Sequence, residues 1–154
     1  LMNKVYILLS CMFFIGLLGC SKDEKTNAEK LRDNPEEVLV DDLKLHLNTH
    51  LWRDTFAQGG SVDLRSIVRI TEADSASIDK ADFNLIKQHV IVGLSVWEVN
   101  VKQVEQLYPY EIQGKSVDGP QWGPGEEVDV VLEFTYKGDL YKLLATEQMI
   151  FDGI

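Results

Sequence analysis

Apolar and polar residues alternate with a period of two over a long stretch that begins at residue 43. The apolar positions are Leu43, Leu45, Leu47 and Leu51, with Thr49 in the same phase, and the polar positions between them are Lys44, His46, Asn48 and His50. Successive side chains of a strand point to opposite faces, so the pattern predicts a strand with one buried face. A helix through this segment would place Asp42, His46 and His50 on its apolar stripe, which disfavours the helix.

A second alternating segment follows. Val62, Leu64, Val68 and Ile70 alternate with Asp63, Arg65 and Arg69, which predicts a second half-buried strand. The polar segment 72–82 that comes after it is expected to be a loop or a single helical turn capped by Ser77.

Two glycine-containing turns predict β-hairpins. With Gly93-Leu94 as a type II′ turn, Val90 faces Trp97 and Ile86 faces Val101. On the other side of the same hairpin, His89 faces Glu98.

The second predicted turn is Gly138-Asp139. It gives a face on which every cross-strand pair is apolar: Tyr136 with Tyr141, Phe134 with Leu143, and Leu132 with Ala145. On the opposite face, Glu133 is then diagonal to Lys142. A slip of one residue would mix apolar with polar side chains, so the pattern disfavours that slip.

Four glycines and two prolines fall within residues 114–125, and this composition predicts a structured loop rather than a strand. The segment 147–151 is expected to add an edge strand. Six or seven strands without a strong helix predict an all-β fold. We expect an antiparallel β-sandwich of immunoglobulin-like or transthyretin-like type over residues 38–154.

The N-terminal segment has the features of a signal peptide over residues 1–19. Lys4 is its only charge, and the apolar run after it is shorter than the ~20 residues that a membrane-spanning helix needs. Leu17-Leu18-Gly19-Cys20 resembles the lipobox of bacterial lipoproteins. That resemblance implies cleavage between Gly19 and Cys20, and acylation of Cys20. Two or three acyl chains would hold the protein stably in a membrane.

Residues 20–37 are expected to form the lipidated cysteine and a flexible charged tether, with a reach of roughly 20–25 Å. Within it, residues 27–32 suit a short helical turn but have no apolar face to pack against the body. Ser21-Lys22-Asp23-Glu24 is similar to the export signal of surface lipoproteins of Bacteroidota. The resemblance implies an outer-membrane lipoprotein on the cell surface, with the periplasmic face as the alternative.

The charge balance argues against nucleic acid as a partner. The chain has 25 acidic and 15 basic residues and a formal net charge of −10, whereas binding to phosphate backbones depends on Lys and Arg. Its two cysteines are Cys11, within the predicted signal peptide, and Cys20. We therefore expect neither a disulfide nor a free thiol in the mature chain.

The sequence shows no recognisable catalytic or metal site. Residues four apart on a strand are about 13 Å apart, so His46 and His50 are too distant to share a metal ion. His89 is expected to pair with Glu98, and no Gly-x-Ser-x-Gly elbow is present. Asp118 with Glu126 and Glu127 lacks the ligand spacing of a calcium loop. We expect no catalytic residue, no metal and no cofactor.

Tryptophans are the strongest binding candidates. Trp122 lies between Gly-Pro dipeptides, and it either plugs one end of the fold or provides an aromatic platform for a ligand. Trp52, beside Arg53, has the same two interpretations. The segment Trp52-Arg53-Asp54, together with Gly119 to Gly125, resembles small bacterial envelope lipoproteins, a resemblance that implies no particular activity.

The leading hypothesis is therefore a non-enzymatic, lipid-anchored protein of recognition or assembly at the outer membrane. It would contact the membrane through Cys20 and an envelope protein or glycan through its body. One alternative is a glycan- or peptide-binding module that uses Trp122, Trp52 and Arg53. The other is a hydrolase whose site is assembled from distant residues.

Overall fold

The computed structural model describes residues 25–53 and 63–153. The predicted signal peptide, Cys20 and Asp54 lie outside this part of the chain. The described elements, in chain order, are helix α1 (Asn27–Arg32), β1 (Glu37–Val40), β2 (Leu43–Arg53), β3 (Leu64–Glu72), a 3-10 turn (Lys80–Asp82), β4 (Phe83–Val92), β5 (Ser95–Asn100), β6 (Lys102–Gln103), β7 (Glu111–Gly119), β8 (Glu127–Tyr136) and β9 (Asp139–Asp152).

The strands form one sheet in the order β5-β4-β8-β9-β2-β3-β7-β6, with β1 paired to β2, and this sheet is nearly closed into a barrel. The chain closes the seam itself, because β5 continues through Val101 into β6, which pairs with β7. The Val101 amide donates to the carbonyl of Ile86 at 3.0 Å, and the Leu85 amide donates to Gln103 Oε1 at 3.2 Å. The predicted all-β class is confirmed. The nine described strands lie in a single curved sheet rather than in a sandwich of six or seven strands.

Strand β9 joins the two halves of the barrel. Its first part pairs antiparallel with β8, and its last part pairs parallel with β2, with Ile150 opposite Leu51. The pairing with β8 extends to Met149, and shortly before its end Glu147 has a φ of 54°, opposite a register irregularity in β8. Such a bulge bends a strand and changes its direction. The prediction that residues 147–151 form an edge strand is therefore wrong, since they lie between β8 and β2.

The barrel interior is filled by the alternating apolar residues of the strands. The largest fully buried apolar side chains are Leu45, Leu51, Leu64, Val68, Ile70, Ile91, Ile112, Leu132, Phe134, Leu143 and Ile150; Ile91 lies on the outer side, under α1. The predicted strands around residues 43–51 and 64–70 are confirmed, with their leucine, valine and isoleucine positions inside. Val62 lies outside the described residues.

The first predicted hairpin is confirmed. Val90 pairs with Trp97 and His89 pairs with Glu98. Gly93 has a φ of 57°, the positive value that a type II′ turn needs at its first position. Before this hairpin, the short helical turn is capped by the Asp79 side chain and not by Ser77.

The second hairpin forms at a different register from the predicted one. Phe134 pairs with Tyr141 and Leu132 with Leu143, because the turn is Lys137-Gly138, with φ values of 50° and 91°. This register differs from the prediction by two residues. Since side chains alternate with a period of two, a two-residue shift leaves the same side chains inside the barrel.

The prediction that residues 114–125 form a loop is wrong for its first half, because β7 continues to Gly119. A Cβ on Gly114 would overlap Val101 Cγ1, and a Cβ on Gly119 would lie 2.8 Å from both Leu64 and Trp97. These two glycines therefore permit close packing across the barrel.

Helix α1 packs against the outer side of the barrel. Thr26 and Glu29 form a capping box at its N-terminus. Ala28 and Leu31 are buried against Ile91, Val131 and Leu144, which point outward from β4, β8 and β9. The expectation that residues 27–32 have nothing to pack against is wrong. Two apolar residues three apart are enough here, because the sheet provides an apolar patch on its outer side.

Candidate functional site

A row of aromatic side chains lies on the outer side of the barrel where β2 meets β9, with His50 and Phe151 exposed and Trp52 half-buried. The ring centroids of His50 and Trp52 are 5.3 Å apart, and those of His50 and Phe151 are 5.4 Å apart, with interplanar angles of 26° and 22°. Trp52 and Phe151 are register partners on the two strands. The Phe151 side chain is 51% exposed. The backbone thus fixes an aromatic row at the surface, where burial does not account for it.

A cluster of basic side chains lies beside this row on the next strands. Arg65 is the register partner of Trp52, and Arg69 lies four residues further along β3. Lys115 of β7 is opposite the residue midway between these two arginines, and Lys102 of β6 is opposite Lys115. We refer to His50, Trp52, Phe151, Arg65, Arg69, Lys102 and Lys115 as the basic-aromatic face.

The cations of this face differ from those elsewhere on the molecule. Arg69 donates to Gln113 Oε1 at 3.1 Å, and no described residue forms an ion pair with Arg65, Lys102 or Lys115. Basic side chains in other parts of the described chain pair with carboxylates, among them Lys25, Arg32, Lys44, Lys87, Lys137 and Lys142. The basic-aromatic face therefore retains uncompensated positive charge on a protein whose net charge is −10.

Acidic side chains border the face but do not interrupt it. Asp63 and Asp118 lie at its end near Arg65, and Glu111 is buried on β7 beyond Gln113. Along β2, the carboxylate of Glu37 is already engaged by Lys44 at 3.1 Å and by His46 Nε2 at 3.3 Å. An anionic ligand lying across β3 and β7 would therefore contact mainly the cationic side chains of Arg65, Arg69 and Lys115.

Trp122 and Arg53 are not part of the basic-aromatic face that contains Trp52. Arg53 Nη1 donates to the carbonyl oxygens of Gln121 and Trp122 at 3.0 and 3.2 Å. Trp122 is partly buried and packs against the main core, which is the arrangement that the plug interpretation describes. Adjacent strand residues point to opposite faces, so Arg53 fastens the loop while Trp52 faces outward.

A second charged cluster lies on the other side of the barrel, around the buried His89. Its Nε2 is 2.9 Å from Glu133 Oε1 and its Nδ1 is 3.5 Å from Glu98 Oε2. Lys142 also contacts Glu133, at 2.7 Å. Burial opposes ionisation of Glu133, but the hydrogen bonds from Lys142 and His89 outweigh it and hold the pKa of Glu133 below its usual value. Glu133 is thus held by Lys142 and His89, and Glu98 by Lys87 at 2.6 Å, so this cluster is a structural network.

One polar pair lies inside the barrel. Ser66 Oγ donates to Gln88 Oε1 at 2.8 Å, and both residues are fully buried. Ser116 is the register partner of Ser66 on β7. Gln88 Nε2 and Ser116 Oγ have no hydrogen-bond partner among the described residues. Glu72, at the end of β3, is also buried, but its carboxylate accepts hydrogen bonds from the amides of Lys44, Asp74 and Ala76.

Part of the basic-aromatic face was accessible from the sequence. Arg65, Arg69 and His50 were identified as outward-facing strand residues, and Trp52 as a binding candidate. The positions of Phe151, Lys102 and Lys115 were missed because they depend on pairings between strands that are distant in sequence. Residues 112–117 contain only two strongly apolar residues, Ile112 and Val117, and they are in opposite phases, so the sequence carried no alternation signal for Lys115.

No protein-family model, no curated protein and no solved structure matches the chain. Within residues 25–53 and 63–153, no group of three or more histidine, cysteine, aspartate or glutamate side chains is arranged to hold a metal ion. The same residues include no helix that is long and apolar enough to span a membrane.

Proposed function

We propose that this protein is a non-enzymatic recognition protein, anchored by lipid on Cys20 in a bacterial outer membrane, and that it binds its partner through the basic-aromatic face. The lipobox-like Leu17-Leu18-Gly19-Cys20 supports the anchor, and the two or three acyl chains of this lipoprotein class suffice for stable attachment. The Ser21-Lys22-Asp23-Glu24 segment supports display on the cell surface.

The observation that carries the binding role is the exposed aromatic row beside unpaired cations. Trp and Arg are enriched at the energetic centres of binding sites. Rings that stay partly in water and cations that form no ion pair contribute little to folding, because neither is fully removed from solvent. A binding role accounts for both features at one place on an otherwise acidic molecule.

The anchor is tested by fractionation of cells that produce the full chain. The wild-type protein is expected to stay with membranes in high salt and to need detergent for release, because acyl chains and not surface charges hold it. The Cys20→Ser variant keeps the length and charge of the chain but lacks the acylated thiol, so it should not mature or anchor. Release of the wild-type protein by high salt alone contradicts the anchor.

The binding role is tested with detergent-solubilised full-length protein and envelope fragments from a strain that lacks its gene. Trp52→Ala is expected to weaken saturable binding to these fragments about tenfold. Tyr108→Ala is the matched control, because Tyr108 is another exposed aromatic residue and lies at the opposite end of the barrel. Equal binding by wild type and Trp52→Ala contradicts the role of this face.

A further inference from the structure

We infer that the ligand of the basic-aromatic face is an anionic polysaccharide, that is, a chain of sugar rings bearing carboxylate, sulfate or phosphate groups. This inference rests on the proposed binding role of the same face and adds the chemical class of the ligand. Two properties of the face point to this class: the pairing of aromatic with cationic side chains, and their extension over several strands.

The aromatic part suits sugar rings. A pyranose presents a face of C–H groups that packs on an aromatic ring, and Trp52 and Phe151 are held at the surface by adjacent strands. Tryptophan and phenylalanine provide a large apolar area with few rotatable bonds, so little conformational entropy is lost on binding.

The cationic part suits regularly repeated anionic groups. Arg65 and Arg69 lie along β3, and Lys115 and Lys102 continue across β7 and β6. Neighbouring strands are about 4.8 Å apart, and Arg65 and Arg69, four residues apart on one strand, are separated by about 13 Å, with Lys115 opposite the residue between them. This lattice of cations matches a polymer with one charge on each sugar or on every second sugar better than it matches a single small anion.

The position of α1 argues against the anchoring membrane as the ligand. Helix α1 packs over β4, β8 and β9, and in the strand order of the barrel β2, β3 and β7 lie on the other side. Five peptide steps separate Cys20 from Lys25, a span of at most about 18 Å. The proposed anchor thus draws the α1 side toward the bilayer and leaves the basic-aromatic face directed into the surrounding medium.

The acidic character of the whole protein does not prevent this binding. At physiological ionic strength, exposed charges more than about 8 Å apart are largely screened. Several acidic side chains elsewhere are also neutralised by partners, as in the pairs Lys137 with Asp41 and Arg32 with Asp129. An anionic chain on β3 and β7 therefore experiences mainly the local cations.

The test measures binding of detergent-solubilised full-length protein to immobilised polygalacturonate, with neutral dextran, phosphatidylglycerol vesicles and a single-stranded oligonucleotide as competitors. The wild-type protein is expected to bind polygalacturonate, and the affinity should fall as salt is raised. The Arg65→Glu/Lys115→Glu variant should bind polygalacturonate about tenfold more weakly or worse. The logarithm of its binding constant should also depend less steeply on the logarithm of the salt concentration, by about one unit of slope for each cation removed. The Trp52→Ala variant should also bind polygalacturonate more weakly, but the salt dependence of its affinity should equal that of the wild type.

The matched control is Lys30→Glu/Lys80→Glu, which makes the same change in net charge at exposed positions outside the face. It should bind like the wild type, and thermal unfolding should show that all variants are folded. The inference is overturned if both double variants lose affinity equally, or if the wild-type protein does not bind polygalacturonate. It is also overturned if dextran, the vesicles or the oligonucleotide displaces the protein more effectively than free polygalacturonate does. If Trp52→Ala still weakens binding to envelope fragments while polygalacturonate does not bind, the binding role stands and only the ligand class is wrong.

Discussion

Arg32 Nε lies 2.5 Å from Asp129 Oδ2, and this ion pair fastens the end of α1 to β8. Arg32 Nη1 also donates to the carbonyl of Gly93 at 2.7 Å, in the β4–β5 turn. Together with the buried Leu31, these contacts fix the direction from which the preceding residues approach the barrel. The orientation of the basic-aromatic face relative to the proposed anchor therefore depends on a six-residue helix.

Arg32→Ala is expected to lower the free energy of unfolding by about 1–2 kcal/mol, because it leaves Asp129 Oδ2 and the Gly93 carbonyl without their donor. Amide hydrogen exchange of residues 27–32 should accelerate more than that of the barrel strands. Asn27→Ala, at an exposed position of the same helix, serves as the control and should change stability by no more than about 0.5 kcal/mol. Unchanged exchange in α1 after Arg32→Ala would show that this ion pair does not hold the helix.

The Ser66–Gln88 pair inside the barrel predicts a non-additive response. Ser66→Ala alone should cost about 1–3 kcal/mol, because it leaves the buried Gln88 Oε1 without a donor. Ser66→Ala/Gln88→Leu removes both polar partners, so it should be more stable than the single variant. Denaturant unfolding of the two single variants and the double variant measures this coupling. If the change in unfolding free energy of the double variant equals the sum of the changes in the two single variants, the two side chains are not coupled and the prediction is wrong.

Acid should weaken the network around Glu133. The pKa of this carboxyl is lowered in the fold: burial would raise it, but the hydrogen bonds from Lys142 and His89 lower it more. A group with a depressed pKa stabilises the fold above its unfolded pKa, which is about 4.5 for glutamate, and this stabilisation is lost as the pH falls through the folded pKa.

Glu133→Gln should therefore reduce the fall in unfolding free energy as the pH is lowered below about 4.5. The nearby Glu98 titrates in the same range with its pKa also lowered, chiefly by the hydrogen bond from Lys87, so some pH dependence should remain. Urea unfolding at several pH values, with Glu127→Gln as an exposed control, measures the difference. If the unfolding free energies of wild type and Glu133→Gln depend on pH in the same way, the Glu133 carboxylate does not stabilise the fold as proposed.

The sequence predicted the strands better than their arrangement. Period-two patterns correctly identified β2, β3 and the β4–β5 hairpin, since one buried face imposes the alternation directly. The same pattern could not distinguish Phe134 opposite Leu143 from Phe134 opposite Tyr141, because both registers keep the same residues inside. That choice is made by the Lys137-Gly138 turn, where a lysine adopts the positive φ more typical of Asn, Asp or Gly.

The barrel itself was not predictable from local patterns. Its closure depends on the bend at Glu147, which carries β9 from β8 to β2, and on Gly114 and Gly119, whose lack of a side chain admits Val101 and Trp97. The amino-acid sequence alone does not distinguish such strand glycines from glycines in loops. For the candidate site, Trp52 was identified from its strand position, whereas its grouping with Phe151 and Lys115 required the three-dimensional pairing.

We propose that α1 faces the membrane while the basic-aromatic face points away from it, and this orientation can be measured directly. The chain after Cys20 contains no other cysteine, so Lys30→Cys and Arg65→Cys each provide one labelling position. In the lipid-anchored protein on vesicles, a headgroup-attached quencher should quench a fluorophore at residue 30 much more strongly than one at residue 65. Equal quenching at the two positions, or stronger quenching at residue 65, would contradict the account.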